Sequence, residues 1–198
     1  MILSARPERD DERGLQLYSF DEVSSSEVAD QYLKWLNDLE VTSPIGSPVL
    51  LQEKSEKYIE ESFLRFTSEN CKGFFIKDRT SGTFIGTVKI DKINLHSKSA
   101  ECGVMIGEKK LWGRGIASQC LAILLDYLFY EKGFNRVWGG TDEHNIGMQK
   151  VFLKLGFRKE GELRQANFIG CNYSDNFLYG LLRSEYMNRE IRGKLSKN

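Results

Sequence analysis

This sequence has few prolines and no excess of charge of either sign, and each of these features excludes a class of protein. Only three prolines occur in 198 residues, and hydrophobic residues make up 40% of the chain, so it is not a long disordered segment. The 28 lysines and arginines equal the 28 aspartates and glutamates, so no net charge draws the chain to nucleic acid or to an anionic membrane. The length suits one folded domain.

Long apolar runs and clustered metal ligands are also missing. No segment approaches the roughly 20 apolar residues that span a bilayer, and the charged N-terminus lacks the apolar core of a signal peptide. The four cysteines form no C-x-x-C pair, and only His96 and His144 accompany them, so we expect no metal site. Cys102 and Cys120 lie in apolar runs that are typical of core residues. We therefore expect a soluble cytoplasmic protein.

Hydrophobic periodicity predicts the element order β-α-α-β-β-β-α-β-α-β-β. The predicted strands are residues 14–20, 72–78, 83–93, 99–107 and 134–141, followed by a final hairpin that turns at 170–175. The predicted helices are residues 24–38, 51–70, 114–131 and 145–156, with a loop at 40–50. The last helix is expected to end at Gly156, a typical left-handed C-terminal cap. This order indicates the α+β class, with a mixed sheet and helices on its faces.

The stretch KLWGRGIAS at 110–118 places Gly113 and Gly115 immediately before an apolar helix. One explanation is a plain strand-to-helix turn, because such turns often need glycine. A dinucleotide-binding fingerprint is disfavoured, because Ser118 occupies the place of its third glycine. The remaining explanation is a phosphate-binding loop, in which free N–H groups at the helix N-terminus receive an anion. Positive charge is added nearby by Lys109, Lys110 and Arg114.

Several stretches, in the right order, resemble the GNAT superfamily of acyl-CoA N-acyltransferases. The family pattern Gln/Arg-x-x-Gly-x-Gly/Ala corresponds to KLWGRG at 110–115, with lysine in its first place. Asn145 precedes LGF at 155–157 with the family's spacing. The other similar stretches are YLKWLNDLEVT at 32–42, EGELR at 160–164, GCNYSD at 170–175 and LYGLLRSEY at 178–186. They resemble the branch that contains the ribosomal-protein N-terminal acetyltransferases.

The resemblance implies one GNAT domain over residues 14–187, between a flexible segment at 1–13 and a tail at 188–198. It implies a mixed, mostly antiparallel sheet of about seven strands, splayed in the centre and flanked by about four helices. Acetyl-CoA would be the donor, with its pantetheine along 101–107 and its pyrophosphate on the N–H groups of 111–116. A backbone amide near Met105 or Ile106 would hold the thioester oxygen. The residues implied in donor binding are Met105, Ile106, Lys110, Leu111, Trp112, Gly113, Arg114, Gly115, Ile116, Ala117, Asn145 and Lys150.

Transfer to an amine also needs a base, because an alkylammonium has a pKa near 10.4. The resemblance makes Glu101 the first candidate, and the alternative role for Glu101 is that of a solvent-facing strand residue. Relatives carry a tyrosine or a serine as general acid where this chain has Phe152 and Met148. Neither side chain donates a proton. Water, Tyr173 or Tyr179 is therefore left to protonate the leaving thiolate. For Asn145 and Lys150, the alternatives are a helix cap and a solvated helix face.

We expect the acceptor to be a primary amine bound by the first two helices, the loop at 38–50 and the hairpin loop at 166–175. The residues predicted to bind it are Trp35, Asn37, Asp38 and Tyr173, with Glu40, Thr42 and Phe168 nearby. The sequence shows no dense acidic cluster, which favours a protein N-terminus or an amino sugar over a polyamine. A non-catalytic acyl-CoA sensor or partner domain and a nucleotide-binding regulatory domain are alternative functions. A homodimer stays open.

Overall fold

The computed structural model describes residues 1–6, 14–47, 52–169 and 171–188. Its strands are β1 Ile2–Ser4, β2 Leu15–Ser19, β3 Lys72–Asp78, β4 Thr83–Asn94, β5 Ser99–Ile106, β6 Arg136–Asp142, β7 Arg158–Ile169 and β8 Asn172–Leu182. Its helices are α1 Ser25–Asn37, α2 Leu39–Thr42, α3 Glu56–Phe66, α4 Ile116–Asp126 and α5 Ile146–Leu155, and residues 183–188 are also helical. Short 3₁₀ turns lie at Phe20–Glu22, Ser43–Ile45 and Lys109–Leu111.

The described strands form one sheet in the order β1-β2-β3-β4-β5-β6-β8-β7. Neighbouring strands are antiparallel except β5 and β6, which run parallel. These two strands pair only from Ser99–Arg136 to Glu101–Trp138, although β5 continues to Ile106 and β6 to Asp142. The sheet therefore opens between them, and this opening is called the cleft below.

Different helices cover the two faces of the sheet. Helices α4 and α5 pack on one face in a core that includes Ala100 and Cys102 of β5. Helices α1 and α3 pack on the other face with Met105 of β5. Because successive side chains of a strand point to opposite faces, β5 contributes to both cores. The cleft accordingly has an α4/α5 side and an α1/α3 side.

The α+β fold with a mixed sheet that is splayed in its centre is confirmed. Every predicted strand and helix is present, and the strand at 72–78 is reproduced to the residue. Gly156 ends α5 in the left-handed conformation, with φ of 94°, as predicted. Cys102 and Cys120 are buried as predicted, and burial raises the pKa of the Cys102 thiol to about 12.

Three parts of the fold differ from the prediction. The sheet has eight strands in the described residues, because Ile2–Ser4 pairs with β2 inside the segment predicted to be flexible. Part of the predicted loop at 40–50 is helical, since the carboxylate of Asp38 accepts a 3.0 Å hydrogen bond from the Glu40 N–H and caps α2. The helix predicted over 114–131 begins at Ile116 and ends as a π-helical turn.

Parts of the predictions at 7–13, 48–51 and 189–198, and residue 170, lie outside the described residues. The domain boundaries stay a prediction. Among the helices of the described ranges, none has the length and apolar character needed to cross a membrane.

Candidate active site

Alternate residues of β5 direct their backbone N–H and C=O groups towards β4 and towards the cleft. The carbonyl oxygen of Met105 lies beside Gly86 of β4, whereas the carbonyl of Ile106 accepts a 2.8 Å hydrogen bond from Trp112 Nε1. Because successive residues of a strand direct their N–H and C=O groups to opposite sides, Val104 and Ile106 face the cleft. The predicted amide contact to a thioester therefore fits Ile106 or Val104, and the Met105 amide faces β4 instead.

Gly113 and Gly115 have φ of 74° and 78°, and nothing lies within 4 Å of a Cβ added at either one. Their conformation is the left-handed one that favours glycine, so the turn explains why these residues are needed. Gly115 is the N-cap of α4, and the first backbone bond of that helix runs from Gln119 N to Gly115 O. The N–H groups of 113–118 have no backbone acceptor in the described part of the chain, so they remain available to an anion.

The predicted phosphate contact at 111–116 is only partly available. The N–H groups of Leu111 and Trp112 already donate to the carbonyls of Glu108 and Lys109, at 2.9 and 3.0 Å. Those bonds close the 3₁₀ turn that precedes the glycines. The anion-binding stretch therefore moves towards the helix and begins at Gly113.

Glu101 lies at the inner end of the cleft, on its α1/α3 side. Its side chain is 16% exposed, and its two oxygens are 2.9 Å from Lys92 Nζ and 3.7 Å from Lys89 Nζ. Lys92 in turn lies over the ring of Trp138, 4.9 Å from its centre. Glu101 is thus held in a cationic setting, where water or an incoming amine has to compete with two ammonium groups.

The side chain of Asn145 is engaged at both ends. Its oxygen accepts from Met148 N at 3.0 Å and caps α5, and its Nδ2 donates to Pro44 O at 2.8 Å. The capping role is therefore confirmed, and the amide also fixes the 3₁₀ turn that follows α2. Lys150 and Lys154 are exposed on α5.

Phe152 is fully buried and stacks on Tyr179, with ring centres 5.1 Å apart. A Cβ added at Gly139 of β6 would lie 2.6 Å from Phe152 Cζ and 3.0 Å from the carbonyl oxygen of Cys102. Phe152 therefore covers the junction of β5 and β6. Tyr179 belongs to β8, one strand farther from the cleft, and it is only 3% exposed.

The predicted acceptor residues on α1 mostly hold the scaffold. Trp35 is 5% exposed, packs against Gly107 and donates from Nε1 to Glu108 Oε1 at 3.3 Å. The side chain of Asn37 bonds to both the N–H and the carbonyl of Lys54. Asp38 caps α2 and pairs with Lys109 Nζ at 2.7 Å, a hydrogen bond that lowers the pKa of its carboxyl group.

These contacts bring the predicted acceptor helix and the predicted donor loop together. Lys109 Nζ is 2.7 Å from Glu40 Oε2 as well as from Asp38 Oδ2. A groove runs between α1 and the loop at 107–110. It is lined by Glu27, Asp30, Gln31, Lys34, Trp35, Asp38, Gly107, Glu108, Lys109 and Lys110. The fold thus places carboxylates and ammonium groups in one groove, where Asp38 pairs with Lys109 and Glu108 with Lys110.

Tyr173 lies apart from Glu101. It is 65% exposed near the tip of the β7–β8 hairpin, with its ring centre 4.9 Å from that of Phe168. Sheet register aligns Glu101 with Trp138 and Trp138 with Gly180, so Tyr173 is seven residues away along β8, or about 23 Å in an extended strand. Its position suits contact with an acceptor better than proton donation beside Glu101.

Asp142, at the end of β6, receives hydrogen bonds from three other residues and is not among the predicted site residues. It is 2% exposed, and its carboxylate accepts from Ser174 Oγ, from Asn167 Nδ2 at 2.8 Å and from the backbone N and Nδ1 of His144 at 2.9 and 3.0 Å. Burial raises the pKa of Asp142, but these hydrogen bonds outweigh it and hold the pKa below its usual value. The only sequence signal was an acidic residue between a strand and the next helix cap.

Comparisons with known proteins agree with this architecture. Residues 20–158 match the family described as an acetyltransferase (GNAT) domain. An uncharacterised N-acetyltransferase of Bacillus licheniformis is 31% identical over 113 residues, which are 57% of this chain and 63% of that protein. The spermidine N(1)-acetyltransferase of Vibrio cholerae serotype O1 is 27% identical over 131 residues, 66% of this chain and 75% of that protein.

The fold has a solved counterpart. The crystal structure of spermidine N-acetyltransferase from Vibrio cholerae in complex with CoA and spermine aligns with a TM-score of 0.78 at 22% identity, covering 90% of this chain and 100% of that one. At this identity the likeness concerns the fold. Since the family match extends over most of the sequence, the chain belongs to the GNAT acetyltransferase family.

Proposed function

We propose that this GNAT acetyltransferase, which uses acetyl-CoA to acetylate an amine, joins the two substrates in the cleft by direct attack in a ternary complex. The observation that carries the proposal is the row of available N–H groups at 113–118, at the open end of the cleft. Phosphates bind at a helix N-terminus of this kind because the groups left without carbonyl partners point outwards. The pantetheine then lies along the exposed edge of β5.

The donor fits the residues on this edge. The N–H groups of Val104 and Ile106 face the cleft and are suited to an amide or a thioester oxygen. Arg114 and Lys110 are exposed beside the anion-binding stretch and supply positive charge. The indole of Trp112 donates a hydrogen bond to the carbonyl of Ile106. Donor binding therefore requires the indole to leave that carbonyl or to pack beside the pantetheine.

On the α1/α3 side, Glu101 receives the amine proton, directly or through water. Holding both substrates in one cleft supplies much of the rate, because it converts a bimolecular step into an effectively unimolecular one.

The acceptor is a small primary amine. The groove beside α1 offers the carboxylate of Asp30 to a cationic amine, whereas Asp38 and Glu108 are already paired with Lys109 and Lys110. Polyamines stay among the candidates, because a relative of this chain is named a spermidine N(1)-acetyltransferase. Tyr173 and Phe168 at the hairpin tip add an aromatic contact. A protein N-terminus, which the predicted ribosomal branch would favour, is the alternative acceptor.

The test is thiol release from acetyl-CoA with a panel of amines. Spermidine, glucosamine and a peptide with a free N-terminus represent the polyamine, amino-sugar and protein classes. We expect turnover with at least one small amine and formation of its N-acetyl product, identified by mass spectrometry. Tight CoA binding without turnover of any amine would instead support the acyl-CoA sensor. A preference for the peptide would assign the chain to the protein-modifying class.

A further inference from the structure

The hydroxyl of Thr141 is buried without a hydrogen-bond partner among the described residues. Thr141 belongs to β6 and is 2% exposed. A buried hydroxyl without a partner is costly, and in most proteins such groups are paired. A hydroxyl that the described residues leave without a partner is available to a bound molecule that reaches it.

Register places this hydroxyl beside the cleft. β5 and β6 are parallel and last pair at Glu101–Trp138, so three residues farther along each strand are Val104 and Thr141, on opposite sides of the opening. Val137 and Gly139 face the α4/α5 side, where Val137 is in the core and Phe152 covers Gly139. Side chains alternate along a strand, so Thr141 shares this face with them.

The same region lacks the groups expected to assist the leaving thiolate. Phe152 is fully buried, and Met148 packs against the same core. Neither side chain donates a hydrogen bond. Tyr179 lies behind Phe152 on β8, and Tyr173 lies near the hairpin tip. Thr141 thus provides a hydroxyl on strand β6, beneath α5. Relatives are expected to carry the corresponding hydroxyl on the helix, at the positions of Phe152 and Met148.

We propose that the Thr141 hydroxyl donates a hydrogen bond to the coenzyme sulfur as the thiolate leaves. This inference rests on the proposed function. The amine nitrogen bonds to the acetyl carbon, and the C–S bond breaks with its electron pair on sulfur. The amine proton passes to Glu101 and from there to solvent. Thr141 keeps its own proton, and sulfur takes one from water when CoA departs.

The experiment compares binding of CoA with binding of desulfo-CoA, which lacks the sulfur, by calorimetry at pH 9. At this pH a thiol of pKa about 8.5 is mostly thiolate. The variants are Thr141→Val, which keeps the shape without the hydroxyl, and Thr141→Ser, which keeps the hydroxyl. Thr83→Val, at the exposed start of β4, makes the same exchange on a strand that does not border the cleft. If Thr141→Val does not fold, Thr141→Ala serves as the second variant without a hydroxyl.

The native chain should bind CoA about 10- to 100-fold more tightly than desulfo-CoA, the range for a hydrogen bond to a charged acceptor. Thr141→Val should bring this ratio close to one, whereas Thr141→Ser and Thr83→Val should keep it. An unchanged ratio in Thr141→Val, with CoA still bound, would overturn the assignment and leave the proposed function intact. Failure of the native chain to bind CoA at all would instead contradict the proposed function.

Discussion

The indole nitrogen of Trp112 donates a 2.8 Å hydrogen bond to the carbonyl oxygen of Ile106. This bond joins the glycine-containing turn to the last residue of β5, at the mouth of the cleft. The indole is 44% exposed, so it covers the strand edge without being buried by it. An added strand, or a pantetheine that pairs like one, needs the same carbonyl.

Donor binding should therefore be visible through Trp112. Displacing the indole from the carbonyl changes its polarity and solvent contact, so CoA should alter the tryptophan fluorescence of the native chain. The change should vanish in Trp112→Phe. Trp138→Phe, which removes a tryptophan from β6 at the inner end, is the matched control and should retain most of it. Equal responses in both variants would mean that Trp112 does not move.

Gly115→Glu should weaken CoA binding at least about tenfold, which corresponds to a loss of about 1.4 kcal/mol in binding free energy. The substitution adds a side chain and a negative charge beside the predicted phosphate site. Gly82→Glu provides the control, because Gly82 also has positive φ (73°) and open space around a Cβ. Both variants carry the same backbone strain, so isothermal titration separates a binding effect from a folding effect. Equal CoA affinities of the two variants would contradict an anion-binding site at the N-terminus of α4.

Glu101→Gln should slow turnover most near pH 7 and progressively less towards pH 10. At neutral pH nearly all of an alkyl amine is protonated and needs a base, whereas near its pKa of about 10.4 the neutral form is abundant. The measurement is kcat/KM against pH, with Glu69→Gln in the exposed loop after α3 as control. A parallel pH profile for Glu101→Gln and the native chain would exclude Glu101 as the base.

Asp142→Asn should destabilise the protein by about 2 kcal/mol or more at pH 7, because hydrogen bonds to a charged group contribute about 1.5–3 kcal/mol each. The folded-state pKa of Asp142 is lowered below 3.8. Its stabilising effect is therefore complete above the unfolded-state pKa and is lost as the pH falls through the folded one. Urea unfolding at pH 7 and near pH 3 should show the difference shrinking on acidification. If the difference in unfolding free energy stayed the same at both pH values, the destabilisation would come from altered packing and not from the lost charge.

Most of the secondary structure follows from local pattern. The alternating residues of β2 and the apolar stripe of α1 fix their elements without help from distant residues. The short helix α2 was missed because residues 40–42 begin a stretch with two prolines and a glycine, a composition that is typical of a loop. The strand at Ile2–Ser4 was missed because three residues carry too little periodicity, and it forms only because β2 offers a free edge.

Site residues were harder to predict than elements. The glycines at 113 and 115 were recognisable, since positive φ and a following helix leave a signature in sequence. The roles of Trp35, Asn37 and Asp38 were not, because each is determined by a partner far along the chain. Only the folded chain shows that Trp35 bonds to Glu108 and that Asn37 holds Lys54.

The family, the order of strands and helices, and the glycine turn before α4 could all be predicted from the sequence, since each depends on residues close together in the chain. The tertiary structure showed where β5 and β6 separate, after Glu101–Trp138. It also showed that several hydrogen bonds converge on the Asp142 carboxylate and that the described residues leave the Thr141 hydroxyl without a partner. Burial and hydrogen bonding are properties of groups that meet in space, and sequence spacing does not encode which distant groups will meet.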